Sequence, residues 1–136
     1  MKTNQIAHLG IAVRNIEEAL VFYKDTLGLT HTETVVMEDR GLRIAFLQAG
    51  EVLIELLEPL HEQSQISRFL DKRGPGIHHI CFEVDDIRGG MQKLNAAGFP
   101  TLGDTPEIGA EGCPVAFIHP KSTFGVLTEI LQKDSE

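Results

Sequence analysis

The chain contains a weak copy of itself, and this limits its fold more than any other feature does. His8-Leu9-Gly10-Ile11-Ala12-Val13 is followed 71 residues later by His79-Ile80-Cys81-Phe82-Glu83-Val84. Both read histidine, aliphatic, variable, bulky apolar, variable, valine. Asn15 and Asp86, residue types that cap helix N-termini, share that offset. Gly28 and Gly98 each close an apolar-periodic stretch, as helix-ending glycines do, and lie 70 apart. Val52–Leu57 and Val126–Leu131 form a fourth pair, with Glu55 and Glu129 offset by 74. Four matches within four residues of one another point to a duplicated module.

Each copy reads strand, helix, then three strands. Residues 5–14 alternate as a strand. Asn15 to Leu27 predicts a helix with Ile16, Ala19, Leu20, Tyr23 and Leu27 on one stripe, and Glu18 three residues after Asn15 makes an imperfect capping box. Strands are expected at 30–38, 42–48 and 51–58. A connection over 59–76 holds a short helix near Gln65 to Lys72 and a break at Gly74-Pro75-Gly76. The second copy predicts a strand at 77–84, a helix at 86–97, and strands near 99–103, 113–118 and 124–131. The expectation is an α+β protein of two βαβββ modules, about 5–58 and 77–131, in one domain spanning 1–136, with antiparallel strands and the helices on one side.

Composition narrows the function. Hydrophobic residues make up 42% of the chain, ordinary for a globular protein. A net charge of −8 argues against nucleic acid and against an anionic membrane surface. No apolar run approaches the roughly 20 residues that span a bilayer. The first residues carry no secretory apolar region, so a cytoplasmic location is expected. Cys81 and Cys113 are too few for a disulfide framework and are expected to be reduced.

Strand alternation picks out four residues. His8, Gly10 and Ala12 share one strand face, opposite Leu9, Ile11 and Val13. His79, Cys81 and Glu83 likewise oppose Ile80, Phe82 and Val84. The apolar face belongs against a helix, so the other lines a cavity with a histidine at one end. Glu55 and Glu129 each interrupt an apolar run, where an unpaired carboxylate costs several kcal/mol to bury. A cation removes that cost, and two imidazoles with two carboxylates suit a first-row divalent metal. His78 faces away from His79; it, His31, His61 and His119 are read as non-ligands.

These segments resemble the vicinal oxygen chelate superfamily of glyoxalase-like fold, from about Ile6 to Leu131. Within it they are most similar to the methylmalonyl-CoA epimerases. The likeness rests on Ile6–Val13, Ile54–Pro59, Gly76–Val84, the Gly109-Ala110-Glu111-Gly112 loop, the His119-Pro120-Lys121-Ser122 turn and Gly125–Glu129. It implies a U-shaped, eight-stranded mixed sheet around a metal held by His8, Glu55, His79 and Glu129. It implies interconversion of (R)- and (S)-methylmalonyl-CoA by proton removal and return at C2 through a metal-stabilised enediolate. It also implies Glu129 as a catalytic base, Co²⁺ as the favoured metal over Mn²⁺, Ni²⁺ or Zn²⁺, an acyl-CoA substrate, and a homodimer. Lys121 is expected to meet a carboxylate or phosphate of the ester. Where one member carries a further carboxylate this chain has Ile44, beside Arg43, with Glu38 the nearest upstream glutamate. Arg43, Arg68, Lys72 and Arg73 are candidates for a local basic rim. The same ligand set also fits a glyoxalase I-type lyase or another metal-dependent isomerase, and the fold also serves non-enzymatic binding modules.

Overall fold

A computed structural model describes residues 1–133; the last three residues of the expected 1–136 span lie outside the described residues. The chain divides into two compact units. One is His8–His78; the other joins Met1–Ala7 to the chain from His79 onward.

In the His8–His78 unit the strands are ordered β2-β3-β4-β1. They are β1 (Thr3–Ala12, from His8 on), β2 (Thr30–Met37), β3 (Leu42–Ala49) and β4 (Val52–Pro59). β2, β3 and β4 are antiparallel neighbours, as their short turns require. β1, however, pairs with β4 in parallel, with Gly10 opposite Glu55 and Ala12 opposite Leu57. The antiparallel reading of the strand pattern is therefore corrected at β1, and the pairing is mixed, as the family resemblance implies. The helix after β1 carries the chain away, and the β2–β4 meander brings it back running the same way as β1.

Asn15 caps α1 (Ile16–Leu20) by accepting from the amide of Glu18 at 2.9 Å. Ile16, Ala19, Leu20 and Tyr23 pack on Ile11, Val13, Ala45, Leu47, Ile54 and Leu56. Leu27, placed on the same stripe by a 3.6-residue period, is instead 57% exposed. The cause is local: Val21–Thr26 winds as a π-helix. Leu27 N donates to Phe22 O at 2.7 Å, five residues back. Each wider turn rotates later side chains off the helical stripe. α2 (Gln65–Arg73) is capped by Ser64, whose hydroxyl accepts from Ser67 N, and buries Ile66 and Leu70.

The other unit has the order β5-β8-β7-β6. These strands are β5 (Gly76–Val84, from His79 on), β6 (Glu107–Ile108), β7 (Pro114–Ile118) and β8 (Thr128–Leu131). β5 and β8 are again parallel, with Cys81 opposite Glu129. β7 is antiparallel to β8 and β6. α3 (Ile87–Ala96), capped by Asp86 through the amide of Gly89, lays Ile87 and Met91 on Val84, Ala116, Ile118 and Ile130.

The first seven residues pack with this half. Ala7 joins Cys81, Val115 and Leu131 in one buried cluster. The amide of Lys2 donates to Asp85 Oδ1 at 2.8 Å, and this bond holds the Asp85 carboxyl below the usual range.

Two expectations fail here. Residues 99–103 contribute a single bridge, Thr101 to Ile118, because the Asn95 side chain binds both the amide and the hydroxyl of Thr101. The strand expected at 124–131 starts only at Thr128. Before it, Phe124 (φ 59°) and Gly125 (φ 88°) are left-handed, and Gly125 N turns back to Pro120 O at 2.8 Å. Glu107–Ile108 is a short strand that periodicity did not mark.

Candidate metal centre

Each unit carries one buried histidine in contact with one buried glutamate. In the His8–His78 unit, Nδ1 of His8 lies 3.2 Å from Oε2 of Glu55. In the other, Nε2 of His79 lies 3.1 Å from Oε1 of Glu129. All four residues are between 3% and 6% exposed.

The register explains both contacts. Directly opposite residues on paired strands share a face. Gly10 faces Glu55, so no side chain on β1 stands between the carboxylate and His8 two residues earlier. Phe46 faces Glu55 from β3. The second unit repeats this plan: Cys81 faces Glu129 from β5 and Phe117 faces it from β7. The His79 ring meets the Phe117 ring edge-on, with centroids 5.8 Å apart. Phe46 and Phe117 were missed by sequence reasoning, although they too stand 71 residues apart.

The donor types and spacing suit a divalent cation. Imidazole nitrogen and carboxylate oxygen bind such ions at about 2.1 Å, so two neighbouring ligands of one ion stand roughly 3.0–3.4 Å apart. Both observed separations fall in that interval. A buried carboxylate needs a partner of opposite charge, and a cation or a protonated histidine supplies one.

The other expected residues fall elsewhere. Lys121 is exposed, and its amide donates to His119 Nδ1 at 3.0 Å, which engages His119 inside its own turn. His31 bonds Thr34 Oγ1 at 2.8 Å. His61 packs over Gly41, where a Cβ would sit 2.9 Å from the ring. His78 meets Phe69 edge-on. Glu38 is exposed in the 3₁₀ turn Glu38–Arg40. Ile44 is buried on the Glu55 face of its unit, so β3 offers no carboxylate there. Arg43 stands apart from the basic rim, held by Glu58 at 3.0 Å and Glu17 at 3.5 Å. Cys81 and Cys113 are not joined in a disulfide. Among the described residues no helix is long and apolar enough to cross a membrane.

Comparison with known proteins narrows the chemistry. Residues 7–117 match the Glyoxalase/Bleomycin resistance protein/Dioxygenase superfamily. The chain is 42% identical to the ethylmalonyl-CoA/methylmalonyl-CoA epimerase of Cereibacter sphaeroides, covering 94% of this chain and 97% of that protein. It is 40% identical to the human mitochondrial methylmalonyl-CoA epimerase, over 94% of this chain and 73% of that one. A solved methylmalonyl-CoA epimerase in complex with methylmalonyl-CoA and NH4+ superposes with a TM-score of 0.93, at 34% identity, covering 98% of this chain and 97% of that one. The α+β class, the eight mixed strands and the glyoxalase-like fold are those of such structures.

Proposed function

The chain belongs to the methylmalonyl-CoA epimerase family of the glyoxalase superfamily, and on that premise we propose that it interconverts (R)- and (S)-methylmalonyl-CoA. The observation that carries the proposal is the His–Glu contact repeated at matching strand positions in both units.

His8, Glu55, His79 and Glu129 together hold one divalent cation in this reading. Bound there, the ion supplies positive charge for the oxygen atoms on which the substrate's negative charge grows. The rest is work for the chain's own groups. The C2 proton lies between a thioester and a carboxylate and is acidic enough for a carboxylate base. Glu129 removes it from one face of C2 in one direction of the reaction and delivers it to that same face in the reverse direction, its rotamer steadied by the His79 ring at 3.1 Å. Water completes the exchange on the opposite face of C2, since β3 presents Ile44 where a second carboxylate was sought. Phe46 and Phe117, beside the two glutamates, keep bulk water from the carbanion. Lys121 contacts an anionic group of the ester. Co²⁺ is the preferred ion, the enzyme is a homodimer, and it works in the cytoplasm.

The test is stereochemical. Purified protein loaded with Co²⁺ is incubated with (S)-methylmalonyl-CoA in D₂O. The expected result is C2 deuteration with loss of optical purity, both suppressed by EDTA. Absence of exchange with Co²⁺, Mn²⁺, Ni²⁺ and Zn²⁺ alike would refute the proposal. Metal content and sedimentation of the same sample test the ion and the dimer, and cell fractionation tests the location.

A further inference from the structure

The chain is acidic, yet one flank of α2 is not. Arg68, Phe69, Lys72 and Arg73 are two i, i+4 pairs and so form a single stripe along the helix. Asp71, the helix's acid, lies about 100° round from Lys72 and borders the stripe as an i, i+3 neighbour of Arg68. Arg68, Lys72 and Arg73 are exposed, and among the described residues none of the three is paired with a carboxylate. The stripe is also preorganised. The Arg73 guanidinium lies over the Phe69 ring at 5.6 Å, and His78 meets that ring edge-on at 5.1 Å. A guanidinium resting over an aromatic ring keeps N–H groups available for phosphate.

We infer that this stripe docks the phosphorylated adenosine end of an acyl-CoA ester, an inference that rests on the proposed function. Charge complementarity selects the occupant. The nucleotide end of such an ester carries a diphosphate, a 3′-phosphate and a purine, and the stripe offers three cations and one aromatic ring. Its place in the His8–His78 unit agrees. Arg14 Nη2 donates to Leu70 O at 3.3 Å, tying α2 to the end of the β1 segment. β1, which carries His8, ends at Ala12, so α2 is tied to the end of the strand that holds one candidate ligand. Because the cations act on the tail and not at C2, they contribute to binding and not to the chemical step.

The experiment compares two substrates on the wild type and the double variant Lys72→Glu/Arg73→Glu. One is methylmalonyl-CoA; the other is the methylmalonyl thioester of pantetheine, which lacks the nucleotide. The ratio of kcat/KM for the first over the second is expected to fall about tenfold in the variant. A ratio within twofold of wild type overturns the inference. Loss of folded protein does not imitate the result, because it lowers both substrates alike. Calorimetry with adenosine 3′,5′-bisphosphate gives an arm independent of turnover. Binding to wild type that weakens about tenfold in the variant supports the site, and no binding to wild type overturns it. If wild type exchanges deuterium on neither thioester, the epimerase reading falls while the calorimetric arm still decides this one.

Discussion

In the first half of the chain the amide of Ile16 donates to a carboxylate, Glu58, at 2.8 Å; in the second the amide of Ile87 donates to a carboxamide, Gln132, at the same distance. Glu58 and Gln132 each stand three residues beyond a buried glutamate, and each ties the first turn of a helix to the last strand of its module. Glu58 is charged and is met by Arg43 at 3.0 Å. Gln132 is neutral and needs no such partner. The tie requires only an acceptor oxygen at that place, so its charge differs between the halves. The histidine and the glutamate match in both type and place, as the proposed metal site, which needs particular donor atoms, would require; the adjacent phenylalanine matches too.

The sharpest way to break this comparison is at the glutamates. Glu129→Gln is expected to slow C2 exchange by about 10³–10⁴-fold, as loss of a positioned base does. Glu55→Gln, which keeps an oxygen at the ligand position but removes its charge, is expected to cost about 10–100-fold, chiefly through weaker metal affinity. Equal losses in deuterium-exchange assays would mean that neither half holds the base alone. Next comes the ion. Adding EDTA to metal-loaded protein is expected to lower Tm by roughly 5–10 °C, from binding energy of about 2–4 kcal/mol. In His8→Ala or His79→Ala the same addition is expected to shift Tm by less than about 2 °C. A full shift in either variant would remove that histidine from the site. The helix ties give the smallest effects, read from urea midpoints. Glu58→Gln is expected to cost about 1 kcal/mol, since it leaves Arg43 without its partner. Gln132→Glu should stay within about 0.5 kcal/mol, because a carboxylate also suits a helix N-terminus.

Much of this was legible in the sequence. His8, Glu55, His79 and Glu129 stood out because a strand's two-residue period separates faces, and because each glutamate interrupts an apolar run. What was not legible depends on partners. Parallel pairing of β1 with β4 leaves no trace in β1's own alternation. The π-turn at Val21–Thr26 changes the helical phase without a glycine or proline to announce it, so Leu27 was assigned to the core. The late start of β8 follows from the left-handed backbone of Phe124, a residue that rarely adopts it. The 74-residue offset already seen for Glu55 and Glu129 also links Glu58 to Gln132 and could have exposed the helix ties.

The parallel pairing has a kinetic consequence. His8 and Glu55 are 47 residues apart in the chain, and His79 and Glu129 are 50 apart. Neither contact can form locally, since each waits for the closing strand of its module to dock beside the opening one. Contacts at such separations require a large loop to close first and are associated with slow folding. A metal held by these pairs as proposed, and bound only after docking, would act after the folding transition state, slowing unfolding and leaving the refolding rate unchanged.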